Sequence, residues 1–284
     1  MKKPMSIIFF LILFLPSLSL ATLPDTLTEE QARLAKKMEE FAEKMEAKLF
    51  KTIAELNSKE NIETRSFEFD TADYVVKVAR GNVVEKAGFM WSLVKKELGF
   101  SKEPIWNRFI QINIHPKTPL VPFAHLTMNF IYQKDGNHSI SGIADMTPGT
   151  IIEEDVAYVK DEMEKFFKKR GVDITPYRAP LLKGHHKDWL KAACVGASFY
   201  SRPLEVNEKN FNLVKDSFET FLDAYLTILK KRKDQEFRDK DIEAQFDMRR
   251  RLLEKDFLWD PYTSKQLVPY KVWSFQMSPP EVRF

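Results

Sequence analysis

Two histidines ten residues apart, His115 and His125, an aspartate at 145 and three consecutive arginines, Arg249-Arg250-Arg251, are the groups in this chain whose type and spacing could carry chemistry. A neutral imidazole can take or give a proton near neutrality or ligate a metal. A carboxylate can accept hydrogen bonds or move a proton, and guanidinium forks can hold carboxylates. Each has a plainer reading. The histidines lack an HExxH helix and a third ligand, so a pair of hydrogen-bonded structural histidines competes with metal binding. Asp145 stands three residues before Pro148, where it could cap a helix instead of acting as an acid. The arginine run could be a solvated helix face. No GxSxG elbow, GxGxxG turn or P-loop is present, so the sequence gives no support to a hydrolase triad or a nucleotide site.

The elements that must position these groups follow from hydrophobic period. "NRFIQINIHP" alternates Ile110, Ile112 and Ile114 with Gln111 and Asn113, which predicts a strand with one buried face. "AHLTMNFIYQ" reads as a second strand, "KDGNHS" as a turn and "ISGIADM" as a third strand, so residues 107–146 form an antiparallel meander. Three prolines link the histidines. Upstream, Phe67, Phe69 and "YVVKVA" indicate further strands, with a turn at Arg80–Asn82. The acidic "EED" opens a helix running to about Arg170. Residues 195–202 read as another short strand, and Phe211, Val214, Phe218, Phe221, Leu222, Tyr225 and Ile228 mark a long helix after it. A basic helix carries the arginines. Residues 22–64 hold an amphipathic helix over 27–57, with Leu34, Met38, Phe41, Met45, Leu49 and Ile53 on one stripe. No linker divides residues 65–284, which read as one α+β domain.

Residues 1–21 have the character of a secretory signal. Lys2 and Lys3 precede "IIFFLILFL", and Ser19-Leu20-Ala21 offers small residues for cleavage near Ala21. Nine apolar residues before Pro16 are well short of the roughly 20 that a spanning helix needs. The expectation is an exported, periplasmic or secreted protein with no stable membrane span after cleavage. Without the two leader lysines the 44 basic and 41 acidic residues nearly balance, so no nucleic acid partner is implied. A single cysteine, Cys194, excludes an internal disulfide and a CxxC zinc site.

Taken in order, "RGNVVEKAG", "IHPKTPLVPFAH", "GIADMTP" followed by "EED", "AYLTILKKRKDQEF", "RRRLLEKDFLWD" and "MSPP" resemble the oxygen-dependent coproporphyrinogen oxidase family over about residues 66–284. The resemblance implies a large antiparallel sheet flanked by helices, a homodimer, and a cleft for a reduced tetrapyrrole. It implies oxidative decarboxylation of two propionates of coproporphyrinogen III to vinyls, as in haem synthesis, with molecular oxygen as co-substrate and no established organic cofactor or metal. His115 and His125 would frame the cleft from neighbouring strands. Asp145 matches the family aspartate held against the pyrrole nitrogens, and Arg249 and Arg251 match arginines that would hold propionates.

The chain departs from the family pattern at several of these places. A family arginine four residues after the second histidine is Asn129 here, and the asparagine before it is Thr127. A triple glycine becomes Ser141-Gly142-Ile143, two histidines become Tyr158 and Lys160, and a C-terminal arginine becomes Tyr270, next to Lys271. His186 and Lys187 replace an arginine-rich stretch, with His186 a candidate substrate contact. Charge-assisted pairs contribute roughly 1.5–3 kcal/mol each, so two lost forks lower affinity for a polyanion by about a hundredfold or more. Three functions therefore remain: a diverged oxidase, an exported tetrapyrrole- or haem-binding protein without oxidase activity, and an oxidase or decarboxylase of another small acid.

Overall fold

A computed structural model describes residues 23–98, 101–182, 197, 199–257 and 268–284. The leader-like residues 1–21 and His186 lie outside these. The described residues form an α+β fold around a seven-stranded antiparallel sheet whose strands lie side by side in chain order. They are β1 (Ile62–Glu68), β2 (Ala72–Ala79), β3 (Val84–Val94), β4 (Pro104–Pro116), β5 (Phe123–Gln133), β6 (Ser139–Thr147) and β7 (Phe199–Leu204). The β5–β6 turn uses Gly136 at φ 79, a left-handed conformation that suits glycine. The last strand runs to Leu204, two residues past the sequence-based boundary.

Four helices lie on one face. Helix α1 (Glu29–Asn57) is opened by a capping box in which Thr28 and Gln31 each satisfy the other's backbone N–H. Helix α2 (Glu153–Lys169) begins with Glu153, Glu154 and Asp155 at its positive end, and a short α3 (Thr175–Leu182) follows. Helix α4 (Glu208–Arg232) is capped by Asn207. The apolar stripe of α1 meets that of α4, with Phe41 and Phe218 edge to face at 5.7 Å. Both belong to one core cluster with Ile110, Ile112, Ile114, Leu126 and Phe130 of the sheet. Full burial of each such side chain contributes about 1.5–3 kcal/mol, so the even-numbered positions of β4 and β5 fix the register.

The opposite face is covered only in part. Helix α5 (Asp239–Arg251), its π-helical continuation (Leu252–Phe257) and the short α6 (Tyr270–Gln276) pack on it. Met248, Leu252, Val272, Trp273 and Phe275 form a second cluster there with Tyr74, Val76, Met90, Phe109 and Phe123. This cover corrects the expectation of a strand with one buried face. All residues of β4 from Trp106 to Pro116 are buried, because the side that carries Gln111, Asn113 and His115 lies under α6 and the residues after it. Alternation reported which face was polar, and the C-terminal segment decided that it would be dry.

Candidate functional site

Antiparallel register puts the sequence-selected residues on the partly covered face in ordered rows. His115 lies opposite Lys86 on β3, and Asn113 opposite Gly88. Asn113 also faces His125 across β4–β5, and His125 faces Asp145 across β5–β6. Directly opposed residues share a face, so Gly88, Asn113, His125 and Asp145 form one transverse row. The next row holds Gln111, Thr127 and Ile143, and the one after it Phe109, Asn129 and Ser141.

The rows differ in what covers them. The residues from Ser274 to Ser278, which we call the strap, lie on the row of Lys86 and His115. Lys86 Nζ donates to the Ser278 carbonyl at 2.8 Å, to Ser278 Oγ at 3.2 Å and to the Ser274 carbonyl at 3.3 Å. Burial, helped by the charge of Arg80, lowers its pKa to about 7. His115 Nε2 donates to the Met277 carbonyl at 2.8 Å, and its ring stacks on Phe123 at 4.5 Å. Burial first, then the charge of Lys86, holds His115 well below the usual histidine range.

Beyond the strap a cavity of about 680 Å³ opens over β4–β7. Its lining includes His125, Thr127, Asn129, Ser141 and Tyr200 from the sheet and Trp273 and Met277 from the C-terminal segment. That volume falls in the range of small-molecule sites, roughly 300–1,000 Å³. His125 Nδ1 lies 2.8 Å from Asn113 Oδ1, and burial in the cavity floor pushes its pKa down to about 4. Asn129 Nδ2 donates to Ser141 Oγ at 3.4 Å. Asp145 is buried beside His125 on the same face but is not among the described lining residues, and its Oδ1 accepts from the Met146 N–H at 2.7 Å. It stands inside β6, whereas α2 starts eight residues later with Ile152 as N-cap and no side-chain cap. The capping alternative for Asp145 therefore falls.

The arginines take other places. Arg249 is 2% exposed, pairs with Glu85 and donates to the Pro116 carbonyl at 3.2 Å. With Gln245, which donates to the carbonyls of Pro116, Lys117 and Thr118, it pins the proline-rich link. Arg251 pairs with Asp247 at 2.8 Å. Neither is among the described lining residues. The cation that is, Arg108, turns its guanidinium toward Glu39 of α1 at 3.7 Å and over Trp91. Among the described residues no cluster of three or more His, Cys, Asp or Glu could hold a metal.

Sequence reasoning passed over Lys86, Asn113, Gln276 and Trp273. A lysine inside the apolar run "VVEKAGFMW" and the amides alternating with isoleucines were the available signals. What they lacked was any sign that residues more than 160 positions downstream would lie on them.

Sequence comparison identifies the family. The sequence model of the family described as Coproporphyrinogen III oxidase matches residues 37–284, and the chain belongs to that family. An oxygen-dependent coproporphyrinogen-III oxidase of Francisella philomiragia is 28% identical over 163 residues, covering 53% of this chain and 51% of that protein. The mitochondrial oxygen-dependent coproporphyrinogen-III oxidase of Mus musculus is 25% identical over 242 residues, covering 75% of this chain and 53% of that one. The chain thus spans about half the length of these curated relatives. Among solved structures, tomato phytochromobilin synthase in complex with biliverdin aligns with a TM-score of 0.48 at 13% identity, over 86% of this chain and 78% of that one. No helix among the described residues is long and apolar enough to cross a membrane.

Proposed function

We propose that the chain is an oxidoreductase that converts coproporphyrinogen III propionates to vinyls with molecular oxygen. The observation that carries this reading, beside family membership, is the sheet-floored cavity lined by His125, with Asp145 paired to it across β5–β6. Each conversion removes carbon dioxide and one hydride equivalent, which oxygen accepts. The chain's own part is to hold the macrocycle, exclude water and place acceptors near its N–H groups. The Asp145 carboxylate, beside His125 on the same face, also stabilises positive charge developing on the pyrroles. Trp273, Met277, Phe109 and Ile143 supply flat apolar wall for the ring. Arg249 acts here through the proline-rich link, and Asn129 and Ser141 offer neutral contacts in place of a charged fork. The leader-like residues 1–21 make this, on the same reading, an exported protein.

The test is anaerobic incubation of the purified protein with coproporphyrinogen III, then admission of oxygen and chromatography for vinyl products. Turnover is expected, and Asp145→Asn should lower it by about 10²–10⁴ while leaving the fold intact, the range for a positioned acid or base. Wild-type turnover in Asp145→Asn would remove Asp145 from the chemistry. A second reading, tetrapyrrole binding without turnover, is favoured by the lining: among its described residues the one cation, Arg108, is directed at Glu39. Spectral titration that saturates without product formation would establish it.

A further inference from the structure

We infer that Gln276 and Asn113 form a hydrogen-bond relay that fixes His125 as its Nδ1–H tautomer, so that an unprotonated Nε2 faces the cavity as acceptor for an N–H group of the bound ring. The relay itself stands on geometry alone; the identity of the ring rests on the function proposed above.

The relay begins at groups whose roles cannot change. Gln276 Nε2 lies 3.4 Å from the Gly88 carbonyl and 3.4 Å from the Gln111 carbonyl, and carbonyl oxygens only accept. These contacts orient the Gln276 amide with its nitrogen toward the sheet. Its Oε1 then accepts from Asn113 Nδ2 at 2.8 Å. With its nitrogen committed there, Asn113 turns Oδ1 to His125 Nδ1, also at 2.8 Å. An oxygen at that distance requires a hydrogen on Nδ1. Gln111 Nε2 stands 3.4 Å from the same Nδ1 but 2.8 Å from Met277 Sδ, so the sulfur is its nearer partner.

The opposite tautomer would set the lone pair of Nδ1 against Asn113 Oδ1. Flipping the Asn113 amide to relieve that contact would set its oxygen against Gln276 Oε1. Flipping Gln276 in turn would set Oε1 against two backbone carbonyls. Gln276 and Asn113 are at most 1% exposed, so no water enters to mediate these clashes. Because the unconstrained histidine side chain prefers the Nε2–H form, the inferred state is one the protein must impose. It matters because a ring with Nε2–H would present a donor to pyrrole N–H groups, and two donors cannot pair. Burial keeps the ring neutral at pH 7, so the lone pair on Nε2 is available. Asn113 and Gln276 are thus positioning residues: they act through His125.

The experiment is a long-range ¹H–¹⁵N correlation spectrum of the ¹⁵N-histidine-labelled full chain at pH 7, with His125 assigned by its loss in His125→Gln. Chemical shift distinguishes a protonated from an unprotonated ring nitrogen. The wild type should show His125 protonated on Nδ1. Asn113→Leu should move it to mainly Nε2–H, and Asn113→Asp, held protonated by burial so that its O–H donates to Gln276 Oε1 while its carbonyl oxygen still accepts, should retain Nδ1–H. A simple packing role would not separate leucine from aspartate in this way. Nε2–H in the wild type, or Nδ1–H persisting in Asn113→Leu, would overturn the relay, and the wild-type spectrum decides even if the leucine variant does not fold. Anaerobic titration with coproporphyrinogen III supplies the second arm. Binding should weaken about tenfold or more in Asn113→Leu and stay near wild type in Asn113→Asp. Equal binding by both variants despite a switched tautomer would remove the acceptor role. A wild type that shows the Nδ1–H tautomer yet binds no coproporphyrinogen would remove the substrate assignment and leave the relay standing.

Discussion

His115 and His125 lie on the same face of adjacent strands, one transverse row apart, and have been put to different uses. His115 is 1% exposed, stacked on Phe123 and bonded through Nε2 to the Met277 carbonyl. His125 is bonded through Nδ1 to Asn113 and lines the cavity. The first acts as a rivet for the strap, and the second is held from behind so that its far edge meets the ligand space. Residue type and spacing are the same for both. What separates them is where the C-terminal segment ends its cover, just past Met277.

The sharpest way to break this comparison is to delete each ring. His115→Ala strips the buried Met277 carbonyl of its donor and leaves a ring-sized gap beside Phe123, so unfolding free energy should fall by about 4 kcal/mol. His125→Ala opens onto an existing cavity but leaves buried Asn113 Oδ1 without its donor, so it should cost about 2 kcal/mol, while abolishing most turnover. Urea denaturation of both variants checks the contrast. Equal losses would mean that the strap does not depend on His115.

Titration should sharpen the same contrast. Both histidines are kept neutral by burial, so between about pH 6.5 and 4 the unfolded chain takes up protons that the folded chain refuses. Stability is therefore present at pH 7 and lost as pH falls through that window. The share of His125, whose pKa is about 4, amounts to about 3 kcal/mol and is complete near pH 4. That of His115 continues lower. Lys86 acts at the other end of the scale: burial disfavours its charged form, so its share of stability rises from about pH 7 toward its ordinary value of 10.5. Urea midpoints from pH 7 to 4 should drop less steeply in His125→Gln, and carboxylate titration cancels in that comparison.

Much of the fold was legible because its signals are local. The stripe Leu34–Ile53, the existence of a strand at Ile110–Ile114 and the turn at Asp135-Gly136 each read correctly from a few neighbouring residues, though not the burial of that strand's polar face. The row His125–Asp145 was reachable too, since the meander sets its register. The strap was not. Lys86, Gln111 and Asn113 owe their burial to residues 274–278, and no periodicity within β3 or β4 encodes a contact at that separation. Arg249 shows the same limit in reverse. Its sequence context suggested a substrate fork, and its geometry shows Glu85 and the Pro116 carbonyl.

Gly88 offers the finest test, because it belongs to the His125 row but lies at its covered end. A β-carbon there would come within 2.7 Å of the Gln276 carbonyl oxygen and 3.1 Å of Gln276 Cγ. The first contact is with backbone, so the strap itself must move. Gly88→Ala should lower stability by about 2 kcal/mol, within the usual range for overpacking a tight contact. The strand gains from losing glycine, which favours the variant by roughly 0.5–1 kcal/mol, so a much larger loss is not expected. Displacing Gln276 should also slacken its bonds to Asn113, and the histidine spectrum should report a mixture of tautomers at His125 while His115 stays bonded to Met277. Denaturation and that spectrum on one sample check both statements. If Gly88→Ala is as stable as wild type and leaves His125 unchanged, the strap is looser over this row than the 2.7 Å approach requires, and the division between a sealed and an open end of the sheet moves toward the Lys86 row.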